Sequence, residues 1–255
     1  MQLKLNKHLL KVTIPTHLLF LLSLFVIDYT LTNALGIAFF YVLFAGFGIA
    51  VGYHKYFSHR SFETYPIIEK MLAIFGLMSM AGSVLFWVCY HRGVHHRHAD
   101  KPQDLHSPRR GYLKSFLLWH NDIQADTINV ASGRDLLKKP FIMWVHHNQN
   151  KVYWGIIAFV ALISWQVCLG ILIPAIVLSH HQDNLINLFG HIRGVGYRNF
   201  DTDDDSVNEA VMGYLFWGQG WHNNHHANPS KLDYGEKWWE FDSAAKILVP
   251  LIRKR

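Results

Sequence analysis

Histidine is concentrated in four short segments of this sequence. The chain has 18 histidines among its 255 residues, and half of them fall in YHKYFSH, YHRGVHH, NLFGH and WHNNHH. Neutral imidazole is a ligand for zinc, copper, iron and nickel, and a single tetrahedral zinc ion would use only four such ligands. The number of imidazoles therefore indicates two metal ions. The candidate ligands are His54, His59, His91, His95, His96, His191, His222, His225 and His226.

The spacing within each segment predicts which side chains point the same way. Residues three or four apart share one face of an α-helix. His54 and His59 are five apart, about 140° around an ideal helix. The helix must therefore end or distort between them, or the two must approach one metal ion from different directions. The pairs that satisfy the helical rule are His91 with His95, Asn187 with His191, and His222 with both His225 and His226.

The composition is shifted towards that of a membrane protein. Hydrophobic residues make up 51% of the chain and charged residues only 16%. The net charge is +6, but Lys and Arg flank apolar runs rather than forming the basic stripe of a nucleic-acid-binding protein, so no nucleic acid is expected as a partner. The cysteines Cys89 and Cys168 both lie in apolar stretches, which excludes a Cys-rich zinc or iron–sulfur site.

Apolar runs predict four transmembrane helices in two hairpins. The N-terminal segment lacks a signal-peptide cleavage site, and its lysines Lys4, Lys7 and Lys11 resemble cytoplasmic anchors. The C-terminal IRKR is also basic, so both termini are predicted to be cytoplasmic. The predicted spans are residues 14–32, 34–53, 152–168 and 169–190.

Residues 71–90 are also uncharged, and hydropathy alone would make them a further span. A span there would place His54 and His91 on opposite sides of the membrane, where they could not share a site. We therefore expect an interfacial or re-entrant helix. The prediction is one membrane domain over residues 1–255, with the active site in a cytoplasmic helical cap formed by 91–151 and 191–255.

HKYFSH, HRGVHH and HNNHH, in this order, resemble the three histidine boxes of membrane fatty acyl desaturases, HX4H, HX3HH and HX2HH. GYHKYFSHRSFE and GQGWHNNHH are most similar to the stearoyl-CoA branch, and the resemblance covers roughly residues 40–240. It implies an all-α membrane fold, two iron ions bound by the nine histidines, and Asn187 orienting a metal-bound water. The implied division of ligands is His54, His59, His91, His96 and His226 on one iron, and His95, His191, His222 and His225 on the other.

The same resemblance implies O2-dependent removal of two hydrogens from adjacent methylenes of a fatty acyl chain, with acyl-CoA as the expected substrate. The sequence has no dinucleotide fingerprint, Cys cluster or haem motif. An external electron donor is therefore implied, namely ferredoxin, rubredoxin or cytochrome b5 with a reductase. Two features depart from the stearoyl-CoA pattern: the second box is one residue longer than in animal relatives, and Gln219 stands where GEGW has a glutamate.

Other residues allow two interpretations each. Trp87, Trp119 and Trp144 are candidate walls of an acyl tunnel or anchors at the membrane interface. Arg109 and Arg110, with Asp104 and His106, could bind the CoA phosphates or face anionic lipid. Six histidines match no box position and are predicted either to be structural or to support the metal ligands: His98, His120, His146, His147, His180 and His181.

Three other functions use clustered histidines and are alternatives to desaturation. The histidine pattern also serves membrane di-iron hydroxylases of alkyl or lipid chains, and only the box sequences favour desaturation. A bis-histidine haem carrier would need histidine pairs within its spans, whereas here they follow the apolar runs. A zinc hydrolase would need a glutamate of the HExxH type, which the sequence lacks.

Overall fold

The computed structural model describes residues 8–123 and 128–254, and its regular structure is helical. These two ranges contain no β-strand, only isolated backbone bridges such as that between Asn208 and Trp221. The all-α prediction is therefore confirmed. Lys4 and Lys7, which support the predicted orientation, lie outside the described residues.

Eight principal helices carry the described part of the chain. Thr30 begins α2 with a capping box that includes Asn33, Ser83 caps α4, and Pro140 stands in the first turn of α5. Short helical turns lie within 108–122, 130–138 and 244–251. The helices are α1 (Ile14–Val26), α2 (Leu31–Ser58), α3 (Pro66–Met78), α4 (Val84–Tyr90, continued by His91–His95 and His96–His98), α5 (Pro140–Ile163), α6 (165–189), α7 (Ala210–Leu215) and α8 (His222–Ala227).

Within the described ranges, α2 is the one helix long and apolar enough to cross a membrane, and Leu10–Val26 is a shorter apolar helix. Helix α5 begins at Pro140, inside the segment predicted as cap, and runs unbroken to Ile163. The chain then turns at Ser164, within the region from Ser164 to Gly170 where the sequence predicts the second hairpin to turn. Four membrane crossings and a cytoplasmic orientation stay predictions.

Residues 71–90 do not form one helix. Helix α3 ends at Met78 and α4 starts at Val84, and the link between them contains Met80 and Gly82 with positive φ values of 57° and 76°. A left-handed backbone ends an α-helix. Because α3 has 13 residues and α4 has 7 before the second box, neither reaches the roughly 20 residues that a membrane span needs.

Helices α2 and α3 pack closely through two glycines. A Cβ added to Gly48 would lie 2.5 Å from the backbone nitrogen of Gly76, and one added to Gly76 would lie 2.2 Å from the Tyr53 ring. Tyr53 is fully buried, with Ile49 and Leu72, in the core shared by these helices. The glycines therefore set the distance at which α3 lies beside the helix that carries His54.

A buried ion pair joins the C-terminal segment to α2. The Lys55 ammonium lies 2.8 Å from Asp242 Oδ2, with both side chains fully buried, and it also donates to the Leu232 carbonyl. Asp242 accepts further hydrogen bonds from the backbone N–H groups of Tyr234 and Ala245. A buried charge pair persists only when its remaining hydrogen-bonding capacity is satisfied in this way. The residue next to His54 is thereby tied to the end of the chain.

We expect Gly48→Ala to lower the free energy of unfolding by about 1–3 kcal/mol, because its methyl group would collide with the backbone of α3. Thermal unfolding of the purified protein in detergent would measure this. The control is Gly155→Ala on α5, where an added Cβ meets nothing within 4 Å and the substitution should be neutral or slightly stabilising. Equal melting temperatures for the two variants would contradict the close packing.

Candidate metal centre

The first two histidine segments lie where a helix widens to i→i+5 hydrogen bonding. At the end of α2 the backbone N–H of His59 bonds to the His54 carbonyl at 3.1 Å, and in α4 the N–H of His96 bonds to the His91 carbonyl. Such π-helical turns are rare and often lie at functional sites. The wider turn brings residues five apart to one side, so the His54 and His59 ring centroids are 4.9 Å apart.

The wide turn also changes the partners within the second segment. The Nε2 atoms of His91 and His96 are 3.0 Å apart, whereas His95 turns towards His191, with ring centroids 4.9 Å apart. The i, i+4 rule therefore does not describe His91 and His95, because it assumes an α-helical turn, and the two residues lie in different groups, as in the division implied by the resemblance.

The third segment follows the ordinary helical rule in part. On α8, His222 and His226 are four apart and their Nε2 atoms lie 3.2 Å from each other. His191, just after α6, places its Nε2 atom 2.9 Å from that of His222. His225 points away from these residues, and its Nε2 atom lies 2.9 Å from those of both His54 and His96. His222 therefore shares a site with His226 and not with His225.

The nine predicted ligands form two groups, each with one nitrogen per ring and all these nitrogens within 4.8 Å of one another. The groups are adjacent, since the rings of His96 and His226 stack with centroids 4.7 Å apart. Relative to the predicted division, His225 and His226 exchange places, because residues three and four after His222 leave α8 in different directions. The five-histidine group is His54, His59, His91, His96 and His225, and the four-histidine group is His95, His191, His222 and His226.

The spacing of the nitrogens fits metal coordination. Two donors bound at about 2.1 Å and at right angles would lie about 3.0 Å apart, which matches the 2.9 Å between His191 and His222 Nε2. The Nε2 atom of His95 is buried and has no hydrogen-bond partner. A buried polar atom without a partner is costly, and a metal ion in each group would satisfy these lone pairs.

Buried carboxylates support the four-histidine group. In three of its four residues the Nδ1 atom lies within hydrogen-bonding distance of an aspartate. Because a carboxylate accepts, Nδ1 carries the proton and the Nε2 lone pair is left for a metal ion. The pairs are His95 with Asp104 (3.1 Å), His191 with Asp100 (2.7 Å) and His226 with Asp204 (2.9 Å).

The pKa values reflect these pairs. Burial alone would raise the pKa of Asp100, but the hydrogen bond and charge of His191 hold it well below its usual range. Burial likewise opposes protonation of His191, yet Asp100 raises the pKa of His191 above its ordinary value. In the five-histidine group, burial together with nearby positive charge lowers the pKa of His59 to about 3. His59 is therefore a neutral imidazole at physiological pH, as coordination requires.

Aromatic rings pack against the five-histidine group. The Trp87 ring stacks on His91 with centroids 4.4 Å apart and an interplanar angle of 20°. Tyr234 lies 4.5 Å from His225, and the Lys55 ammonium is 3.1 Å from the centre of the Tyr234 ring, a cation–π geometry. Sequence reasoning missed Tyr234. The only signal was its place in a polar segment that must fold back onto the third box.

A small cavity of about 20 Å3 lies beside the metal centre. Trp87, Trp119 and Asn187 line it together with His91 and Asp183, and its volume suffices for about one water molecule. Asn187 thus stands where an ordered water could be held. Trp144 does not line this cavity and is 53% exposed on α5, so its prediction as a tunnel wall is not supported.

The residues predicted to bind a headgroup are paired with other side chains of the protein, and Arg109 is 59% exposed. Asp104 supports His95 and lies 3.9 Å from His106. Arg109 binds Asp205 at 2.6 Å and Arg110 binds Asp122 at 2.9 Å. These contacts position the loop that carries Asp100 and Asp104.

Several histidines outside the two groups make contacts with other parts of the chain. His181 Nε2 lies 3.0 Å from His17 Nε2, His180 contacts Asn184, and His146 contacts Ser83 at the start of α4. Gln219 is 3% exposed and its side-chain nitrogen has no hydrogen-bond partner, and nothing in the structure explains the glutamine at this position.

The sequence model of the family described as Fatty acid desaturase matches residues 31–255. Relatives of known name agree. An sn-1 stearoyl-lipid 9-desaturase of Anabaena variabilis is 32% identical over 82% of this chain and 77% of its own length. The chain belongs to the fatty acid desaturase family. The desaturase is also similar to Delta-9 acyl-lipid desaturase 2 of Arabidopsis thaliana (32% identity, 82% of this chain, 69% of the relative) and to an acyl-CoA 5-desaturase of Anemone leveillei (30%, 82% and 65%).

Membership of this family makes the chain an oxidoreductase of lipid metabolism. It also relates the two histidine groups to the family's boxes, since the three boxes supply eight of the nine histidines and NLFGH supplies His191.

We expect His225→Ala to lose the metal ion of the five-histidine group and to retain the other, because His225 contacts His54 and His96 and no member of the four-histidine group through Nε2. Elemental analysis of the purified desaturase would measure the metal content per chain. His147→Ala is the control, since His147 is exposed on α5. Full metal content in His225→Ala would contradict the grouping.

Proposed function

We propose that this desaturase introduces a double bond into a saturated fatty acyl chain, using O2 and two iron ions bound by the nine histidines. The observation that supports this most directly is the convergence of nine imidazoles in two adjacent groups beside a cavity walled by Trp87 and Trp119. An unactivated methylene has no acidic proton and no polar handle for a general base. Iron with O2 supplies the oxidising power that side chains lack.

The electron balance requires an external donor. Removing two hydrogen atoms from the acyl chain yields two electrons and two protons, while reducing O2 to two waters takes four of each. Two electrons and two protons must therefore enter from outside. We propose a reductase with ferredoxin, rubredoxin or cytochrome b5 as the donor, since the sequence contains no dinucleotide, haem or Cys-rich motif of its own.

The protein's own side chains prepare the site. Asp100, Asp104 and Asp204 keep the Nδ1 protons in place so that each Nε2 faces the metal. Trp87 and Trp119 provide apolar walls that hold two adjacent methylenes near the centre and exclude water. The cavity is too small for an acyl chain as it stands, so substrate entry must move a wall. Asn187 is placed to hold a water molecule.

The acyl chain could be attached to CoA or to a membrane lipid. The resemblance to the stearoyl-CoA branch predicts acyl-CoA, yet Arg109 and Arg110, the predicted phosphate ligands, are bound to Asp205 and Asp122. Of the three relatives described above, two are named for acyl groups of lipids, an acyl-lipid and a stearoyl-lipid desaturase, and one is named an acyl-CoA desaturase. The paired arginines and the two lipid names favour an acyl group of a membrane lipid. The long apolar helix α2, which ends at the first histidine box, suits a substrate delivered from the bilayer.

Expression in a host with a compatible reductase should create monounsaturated fatty acids, which gas chromatography with mass spectrometry would identify. His222→Ala should abolish them while the protein stays in the membrane fraction, and His147→Ala should not. A pulse of labelled saturated fatty acid would show whether the product arises first in lipids or in acyl-CoA. A hydroxylated product would instead identify a di-iron hydroxylase.

We expect Trp119→Phe to broaden the positions at which the double bond is introduced, because a smaller ring enlarges the cavity beside His91 and relaxes the hold on the chain. The double-bond positions of the products would be measured after chemical derivatisation. Trp144→Phe is the matched control, since Trp144 is exposed. An unchanged product in Trp119→Phe would remove this residue from the substrate site.

A further inference from the structure

The two histidine groups differ in the side chains that contact the imidazoles, above all in the partners of the Nδ1 atoms. In the four-histidine group three residues have Nδ1 bonded to an aspartate, at 2.7, 2.9 and 3.1 Å. In the five-histidine group the Nδ1 atoms of His54 and His225 are buried and have no hydrogen-bond partner. The side chains packed against that group are rings instead, Trp87 and Tyr234.

Each aspartate is itself held in place. Asp100 accepts from the hydroxyl of Ser107 at 2.6 Å and from the backbone N–H of Asp205 at 2.8 Å. Asp204 accepts from the hydroxyl of Thr202 at 2.7 Å and from the backbone N–H of Ser206 at 3.0 Å. Carboxylates fixed in this way orient the ring and make the coordinating nitrogen more basic, and losing one such partner typically weakens metal binding 10–100-fold.

The charge balance separates the groups further. A divalent ion with three carboxylates behind its ligands gives a local charge of 2 minus 3, or −1. Near the five-histidine group the described carboxylates are already paired with cations, Asp242 with Lys55 and Asp135 with both Arg60 and Arg92, so a divalent ion there would keep its full charge. Burying an uncompensated charge is unfavourable, and we expect this cost to outweigh the gain from the additional imidazole.

We propose that the two metal positions are inequivalent, and that the four-histidine group retains its ion under conditions in which the five-histidine group releases its ion. Asp100, Asp104 and Asp204 act as positioning residues that create this difference. The inference rests on the proposed metal occupancy but not on the reaction, since retention of any divalent ion that binds imidazole would reveal it.

Release of metal to a chelator, followed by absorbance of the coloured complex and by elemental analysis, tests the proposal on the intact protein in detergent. The wild type loaded with Fe2+ under anaerobic conditions should release one ion quickly and one at least tenfold more slowly. In His225→Ala the fast phase should be missing and the slow phase unchanged. Release in a single phase, or loss of the slow phase in His225→Ala, would overturn the proposal.

The contribution of a single aspartate to metal retention can be tested with a matched pair of variants. Asp204→Asn should accelerate the slow phase 10–100-fold, because an amide cannot hold the Nδ1 proton of His226 as a carboxylate does. Asp203→Asn removes the same charge one residue earlier, from a side chain that is 93% exposed and paired with Lys101, and should leave both phases unchanged. Equal release from the two variants would overturn the role of Asp204.

The Asp203→Asn variant also controls for damage to the loop, and circular dichroism with gel filtration would verify that both variants fold.

The outcomes separate this inference from the proposed reaction. Biphasic release without unsaturated product would contradict the reaction alone, whereas single-phase release with product would contradict the inequivalence alone. A protein that binds no divalent ion would overturn both.

Discussion

The arrangement of the whole chain depends on nine imidazole nitrogens brought together in a buried volume. Where Nδ1 donates to an aspartate, the Nε2 lone pair faces another imidazole, as for His191 and His222 at 2.9 Å. Protonation is a poor remedy, because burial lowers the pKa of residues such as His222 well below its ordinary value. A metal ion in each group would stabilise this geometry, and the surrounding helices and carboxylates are placed to support such ions.

The nine histidines that meet in the two groups could be selected from the sequence, because imidazoles at helical spacing after apolar runs have few other uses. Their directions could be predicted only where the helix is regular, as for His222 and His226 on α8. Around His59 and His96 the backbone makes i→i+5 bonds, which an argument from 3.6 residues per turn does not describe. The five-residue spacing of His54 and His59 indicates such a distortion, whereas the four-residue spacing of His91 and His95 fits an ordinary α-helix and conceals it.

The carboxylates show a different limit of sequence reasoning. Three consecutive aspartates, Asp203, Asp204 and Asp205, have unrelated roles: the first is exposed, the second holds His226 and the third binds Arg109 and Arg193. Residue type and spacing cannot distinguish them, since only the path of the loop decides which side chain turns inwards. The same holds for Lys55, a charge within an apolar helix whose partner Asp242 lies far along the chain.

The separation of the ligands along the chain bears on how the protein is made. His54 and His225 meet across 171 positions, so an ion bound between them joins the end of the first long apolar helix to the last helix of the site. Such a link closes 171 of the 255 residues, about two-thirds of the polypeptide, into one loop, and the entropic cost of closing a loop grows with its length. Both histidine groups are complete only once residue 226 has been synthesised, so a chain truncated before α8 would lack members of each group.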